Sequence, residues 1–196
     1  MRVQAVFAHP RPDSYAAAVH QTAVAALRQG GHEVRETDLY AEGFDPRLTA
    51  AEHATFKEPA YDASAVAELT ARLQWSEGLV LTYPHWWFNM PAVMKGWFDR
   101  VWAPGVAYRH DPAGGSIQPL LTGLRKVTVL TSFGAPWWVV ELAMRNPARR
   151  IVRLGLVWAC APQARFDYLA HYDMDRSTPH SRARHLARVN KRLSGF

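Results

Sequence analysis

Cysteine is almost absent from this chain: Cys160 stands alone among 196 residues. No disulfide can close within the chain, and no cysteine cluster is available to hold zinc. Long apolar runs are missing too. The stretch from Leu156 to Ala161 is only a few residues long, well short of the roughly 20 a membrane-spanning helix requires. Met1 to Val6 carries no extended apolar core and no small-residue cleavage site, and it reads as the start of a strand rather than a secretory leader. These absences lead us to expect a cytoplasmic protein without a membrane span. Two phosphate-binding patterns, G-x-G-x-x-G and G-x-x-x-x-G-K-[ST], occur nowhere in the sequence, which argues against a Rossmann-type dinucleotide fold and a P-loop.

What is present is ordinary for a globular protein. Apolar residues make up 48% of the chain and charged residues 20%, too apolar for a disordered chain. The length suits a single α/β domain spanning 1–196. The net charge of +6 is unevenly spread. From Arg145 onward there are 11 Lys or Arg against three Asp, whereas the first 144 residues carry 12 basic against 14 acidic side chains. Such a basic end invites nucleic acid. Against that, Arg182, Arg184, Arg188, Lys191 and Arg192 fall at helical spacing beside Leu186, Val189 and Leu193. That is the pattern of a solvated helix face, so no nucleic-acid partner is expected.

Periodicity divides the chain into alternating units. Residues 3–8 read as a strand, 14–28 as a helix stopped by Gly30-Gly31, and 32–39 as a second strand. The polar stretch 40–62 reads as a long loop with a short helix near 49–57. Beyond it come a helix over 64–74, a buried strand over 78–83, and an amphipathic helix over 92–102 with Pro91 in its first turn. A fourth strand is expected over 126–132, a helix over 139–154, a fifth strand opening at 156–161, and a last helix capped by Thr178-Pro179. Strands alternating with helices predict a parallel sheet covered on both faces, and five such units fit the doubly wound, flavodoxin-like order 2-1-3-4-5.

In such a sheet, ligands bind at the carboxyl ends of the strands, so the loops after strands one, three and four carry the chemistry. The first, His9 to Tyr15, puts Ser14 where a hydroxyl and free helix-end amides meet an anion such as phosphate; a plain helix cap is the alternative. The second, Tyr83 to Met90, crowds Tyr83, Trp86, Trp87 and Phe88 around Pro84 and His85. Such rings offer faces for a flat ligand, or a core plug or oligomer contact. The third is Thr131 to Trp138.

HPRPDS at 9–14 and YPHWWFNMPAVMKGWFDRVW at 83–102 resemble the two main motifs of the NAD(P)H:quinone oxidoreductase family, flavodoxin-like flavoproteins of the DT-diaphorase type. The resemblance implies a non-covalent FAD or FMN, reduced by NAD(P)H and reoxidised by quinones or similar flat acceptors in ping-pong fashion. It implies that His9, Ser14 and Tyr15 hold the phosphate and ribityl region. Ala16 stands where the family often has Asn. Pro84, His85, Trp86, Trp87 and Phe88 would line the ring edge, and Thr131, Ser132, Phe133 and Gly134 would support it. The resemblance further implies a homodimer with shared active sites, in which Tyr108 and His110 reach the neighbouring subunit's substrate. The helix bearing Trp97 and Trp102 is expected in that interface. Trp137 and Trp138 are expected to wall the acceptor pocket. No catalytic acid or base and no metal ligand is assigned. Other readings are a regulatory flavoprotein subunit of a potassium-efflux system, a nitro or azo reductase, and an electron carrier; carriers of that kind are commonly acidic.

Overall fold

The computed structural model describes residues 1–56, 61–111 and 114–196. Along the chain, β1 (Arg2–Phe7) leads through α1 (Tyr15–Gln29) to β2 (Glu33–Asp38), and α2 (Ala50–Ala54) and α3 (Ala67–Trp75) precede β3 (Gly78–Pro84). After α4 (Ala92–Val101), a two-stranded antiparallel pair, β4 (Tyr108–Arg109) and β5 (Gln118–Pro119), precedes β6 (Lys126–Ser132). A helical region with α5 (Pro147–Arg150) and α6 (Trp158–Cys160) then leads to β7 (Arg165–His171) and α7 (Pro179–Leu193). The main sheet is parallel with order β2-β1-β3-β6-β7, the expected doubly wound arrangement.

Strand alternation sorts apolar side chains to the two faces. Val3, Ala5, Val80 and Leu130 pack beneath α1 and α7, against Val19, Ala23, Leu27, Val189 and Leu193. Val6, Leu79, Leu81, Val127 and Val129 face the opposite layer, where α4 supplies Val93, Met94, Trp97, Phe98 and Val101. The sheet is thus buried on both sides, and all of β3 is buried.

Two expectations need correction. The run 156–161 is not a strand. Ile151–Val157 is π-helical and passes into α6, and the fifth strand is Arg165–His171. A short apolar run fits a buried helix end as well as a strand, and periodicity alone does not separate them. The helix expected over 139–154 is also interrupted. A π-helical turn, Val139–Ala143, gives way to left-handed Arg145 (φ 54°) and Asn146 (φ 40°). Pro147 disfavours helical backbone at the residue before it, and the Asn146 side chain accepts from the Arg149 amide to start α5 afresh.

The long loop after β2 straps α4. Thr49 and Glu52 form a capping box at α2. Glu52 is buried against Arg100 of α4 (Nη2–Oε1 2.7 Å), and Arg100 Nη1 also donates to the Asp45 carbonyl. The far end of the short helix expected near 49–57 falls partly outside the described residues.

Trp97 and Trp102 are 0% and 4% exposed within the single chain. They form the core beneath α4 rather than a face for a partner. Large apolar side chains lie exposed elsewhere, at Leu142, Met144, Ile151, Leu154 and Trp158. None of the described helices is long and apolar enough to cross a membrane.

Candidate active site

The strand order reverses between β1 and β3, so the loops leaving their carboxyl ends flank one crevice. On one side, Ser14 caps α1, its Oγ accepting from the Ala17 amide at 3.1 Å while its carbonyl takes the Ala18 amide. The Tyr15 and Ala16 amides have no intrahelical partner, and they sit at the positive end of a 15-residue helix with no acidic residue in its first turn. His9 Nδ1 accepts from the Arg11 amide at 3.0 Å, and its ring lies 6.2 Å from that of Trp86.

On the other side, the chain leaves β3 and doubles back in a tight turn. Trp86 and Asn89 exchange backbone hydrogen bonds of 2.9 and 3.1 Å, and between them Trp87 (φ 51°) and Phe88 (φ 59°) are both left-handed. That hand at two successive bulky residues is uncommon, because Cβ crowds the neighbouring carbonyl. The turn leaves the Trp87 and Phe88 amides outside its own bonds and holds the Trp87 indole 96% exposed.

The named side chains divide between the crevice and the interior. Ser14, His9, Trp86 and Trp87 stand at the crevice mouth, Ala16 and Pro84 are buried at its floor, and Phe88 is half-buried. His85 turns inward, stacking on buried Phe133 at 4.0 Å. Thr131 is also internal, donating to the Tyr83 carbonyl at 2.6 Å. Ser132 is half-buried, and Gly134 leaves the space that the Asp175 carboxylate fills: a Cβ there would meet Oδ2 at 2.8 Å. Trp137 and Trp138 are 53% and 60% exposed. Tyr108 and His110 line an apolar groove of about 370 Å³ with Phe56, Ile117, Ile151 and Leu156, which meets the second loop only at Met90.

A second cleft, of about 320 Å³, adjoins α1 from the side of α7. The Tyr15 hydroxyl lies 2.7 Å from His185 Nδ1, and burial raises Tyr15 to about 12. Burial, with His171 and Arg188 nearby, pushes His185 down to about 4. His171 is lowered mainly by burial as well. The His185 Nε2 and His171 Nδ1 atoms are buried without a partner, and Arg176, Arg184 and Arg188 line the same cleft. The helical spacing of Arg184 and Arg188 is visible in sequence, but it gives no sign that two buried imidazoles from different elements lie beside them.

The chain belongs to the flavodoxin-like fold family, whose model matches residues 1–150. It is 34% identical over 155 residues to a ribosyldihydronicotinamide dehydrogenase-like protein of Penicillium crustosum, covering 68% of this chain and 58% of that one. It is 38% identical over 113 residues to an uncharacterized NAD(P)H oxidoreductase of Escherichia coli, covering 55% of each. The matches therefore span little more than half the length of these relatives. A solved NAD(P)H:quinone oxidoreductase from Methanothermobacter marburgensis superposes with a TM-score of 0.85 at 26% identity, over 100% of this chain and 96% of that one.

Proposed function

We propose that this chain is a flavin-dependent NAD(P)H oxidoreductase that reduces quinones or similar flat acceptors by two-electron transfer. The observation that carries this reading is the pairing of α1's free amides, at the positive end of the helix dipole, with an exposed left-handed aromatic turn across one crevice. The donor set fits a flavin nucleotide at both ends. The Ser14 hydroxyl and the Tyr15 and Ala16 amides are suited to a phosphate, and the outward amides and rings of the 86–89 turn are suited to the edge of a flat heterocycle. When bound, the flavin supplies the hydride-accepting and hydride-donating chemistry. The protein's part is to hold donor and acceptor rings in turn within one aromatic-walled space, to which Trp137 and Trp138 contribute exposed faces. One shared space supports ping-pong turnover.

Between FMN and FAD, the arginine-lined cleft beside Tyr15 supports the dinucleotide, because it offers a second site for a phosphate-bearing group. A homodimer accounts for the exposed Ile151, Leu154 and Trp158 beside the Tyr108 groove, with Tyr108 and His110 completing the partner's substrate space. The test is the visible spectrum of the purified protein and the mass of any cofactor released on denaturation, followed by turnover of NADH and NADPH with a benzoquinone. A colourless protein that gives no absorbance change on titration with FMN or FAD would refute the reading. Ser14→Ala is expected to weaken flavin binding by about 1–2 kcal/mol, the worth of one hydrogen bond to a charged group.

A further inference from the structure

His85 occupies the point where the buried strand β3 passes into the exposed turn. Its amide prolongs the β3–β6 ladder by donating to the Ser132 carbonyl at 2.9 Å, and its ring is enclosed, 7% exposed. That ring lies on Phe133 with centroids 4.0 Å apart and planes 20° apart, and Phe133 stacks in turn on Tyr172 at 5.6 Å. From β7, the Tyr168 hydroxyl reaches to 2.7 Å from His85 Nε2. The Tyr172 hydroxyl and Asn146 Nδ2 both donate to Glu141 Oε1 at 2.6 Å, so the segment after β6 is tied to the same cluster.

Two residues beyond His85 the backbone enters the left-handed pair Trp87 and Phe88. Such a conformation persists at bulky residues only where the surroundings over-determine it. Trp87, almost wholly in solvent, supplies no packing that would do so. The restraint comes from Phe88, half-buried against the Phe133 cluster, and from the two bases of the turn. At the far base, the Met90 amide donates to Asn89 Oδ1 at 2.8 Å and Met90 is buried; at the near base stands His85. An apolar ring of similar size would fill the same space against Phe133. What the imidazole adds is its directional bond to the edge strand.

We propose that His85 and Tyr168 form a positioning pair, whose hydrogen bond, backed by the Phe133 stack, holds the 86–89 turn in the shape that presents its amides and rings to the cofactor. The role rests on the flavin reading for its purpose, but the restraint itself belongs to the cofactor-free chain. Neither side chain is a catalytic residue. His85 acts through the turn, and Tyr168 acts through His85.

Two substitutions remove the bond from opposite sides. His85→Phe keeps a ring to stack on Phe133, and Tyr168→Phe leaves every ring in place. The first measurement is hydrogen exchange at the Trp86 and Asn89 amides, which close the turn, in the cofactor-free chain. The second is the dissociation constant for FMN and FAD from quenching of flavin fluorescence. Each single substitution is expected to speed exchange at those two amides and to raise the dissociation constant roughly two- to tenfold, the span of one neutral buried hydrogen bond. The double variant is expected to be no worse than the more severe single, because both remove one shared bond. Should His85→Phe fail to fold, Tyr168→Phe alone still decides. Wild-type exchange and wild-type affinity in Tyr168→Phe would overturn the proposal, and so would fully additive effects in the double variant. A wild-type chain that binds no flavin would overturn the functional reading instead, while the exchange measurement would still report whether the pair holds the turn.

Discussion

At the scale of single residues, two buried imidazoles give this protein a defined acid sensitivity. His85 and His185 are both pushed down to about 4, chiefly because burial disfavours the charged ring. In the unfolded chain a histidine takes up its proton near pH 6.5. Between about pH 6.5 and 4 the unfolded state therefore binds more protons than the folded one, and stability rises with pH across that window. The histidine-dependent stability is complete above about pH 6.5 and is lost progressively as the pH falls toward 4. Each ring contributes a slope of up to about 1.4 kcal/mol per pH unit. Urea unfolding at several pH values from 7.5 to 4 is expected to show this fall, and His185→Gln should remove about half of it, leaving the share of His85. A stability independent of pH over that range would mean that neither ring is buried as described.

At the scale of elements, the contact that decides most is the crossing of the long loop over α4. Gly96 faces Pro46 so closely that an added Cβ would lie 2.2 Å from the Pro46 carbonyl oxygen and 2.3 Å from its Cβ. Glycine inside a helix ordinarily costs about 1 kcal/mol relative to alanine, so Gly96→Ala would stabilise an isolated α4. Here the clash is with backbone, which cannot rotate away, and overpacking of this kind costs about 1–3 kcal/mol or more. The expected outcome is net destabilisation, with the 44–52 strap lifted from α4. Increased proteolytic nicking of that strap, together with a lower denaturation midpoint, would report it. The buried Arg100–Glu52 pair has the same architectural task, joining a loop that has little core of its own to the best-packed helix.

At the scale of the whole molecule, apolar surface and charge are segregated along the chain. Ile151, Leu154 and Trp158 are 43%, 50% and 70% exposed, and Ile151 lines the Tyr108 groove, while the arginine-bearing α7 packs on the opposite side of the sheet. Exposed patches of this sort mark contact surfaces, and a two-fold dimer covers the same patch on both copies. On the proposed homodimer, the wild-type chain is expected to sediment as a dimer at micromolar concentration, and Trp158→Glu, which places a charge within that patch, is expected to shift it to monomer without disturbing α4. Because Trp97 and Trp102 are core residues, charge substitutions there are expected to unfold the protomer instead. A Trp158→Glu protein that sediments like the wild type would move the contact elsewhere.

The strands β1, β3 and β6 were legible from local pattern, because a strand buried on both faces needs an apolar run, and the edge strand β2 was legible from its alternation around Val34 and Thr37. The α1 cap was legible for a similar reason: Ser14 and the amides behind it are neighbours in sequence. Elements built from competing local preferences were not. Leu156 to Ala161 suits a helix end and a strand equally, and only the docking of Arg165–His171 beside β6 settled where the fifth strand lies. Tryptophan counts also say nothing of direction, so Trp97 and Trp102 pointed to an interface until the packing of α4 enclosed them. The inward turn of His85 toward Tyr168, 83 residues away, and the meeting of Tyr15 with His185, 170 residues away, have no trace in spacing. Sequence by itself determined four of the five strands, the helices α1, α4 and α7, and the two loops that flank the crevice, since each is marked by residues within one or two helical turns. The tertiary structure decided which side chains face that crevice and which lie behind it, because that choice is made by contacts between strands that meet only when the sheet closes.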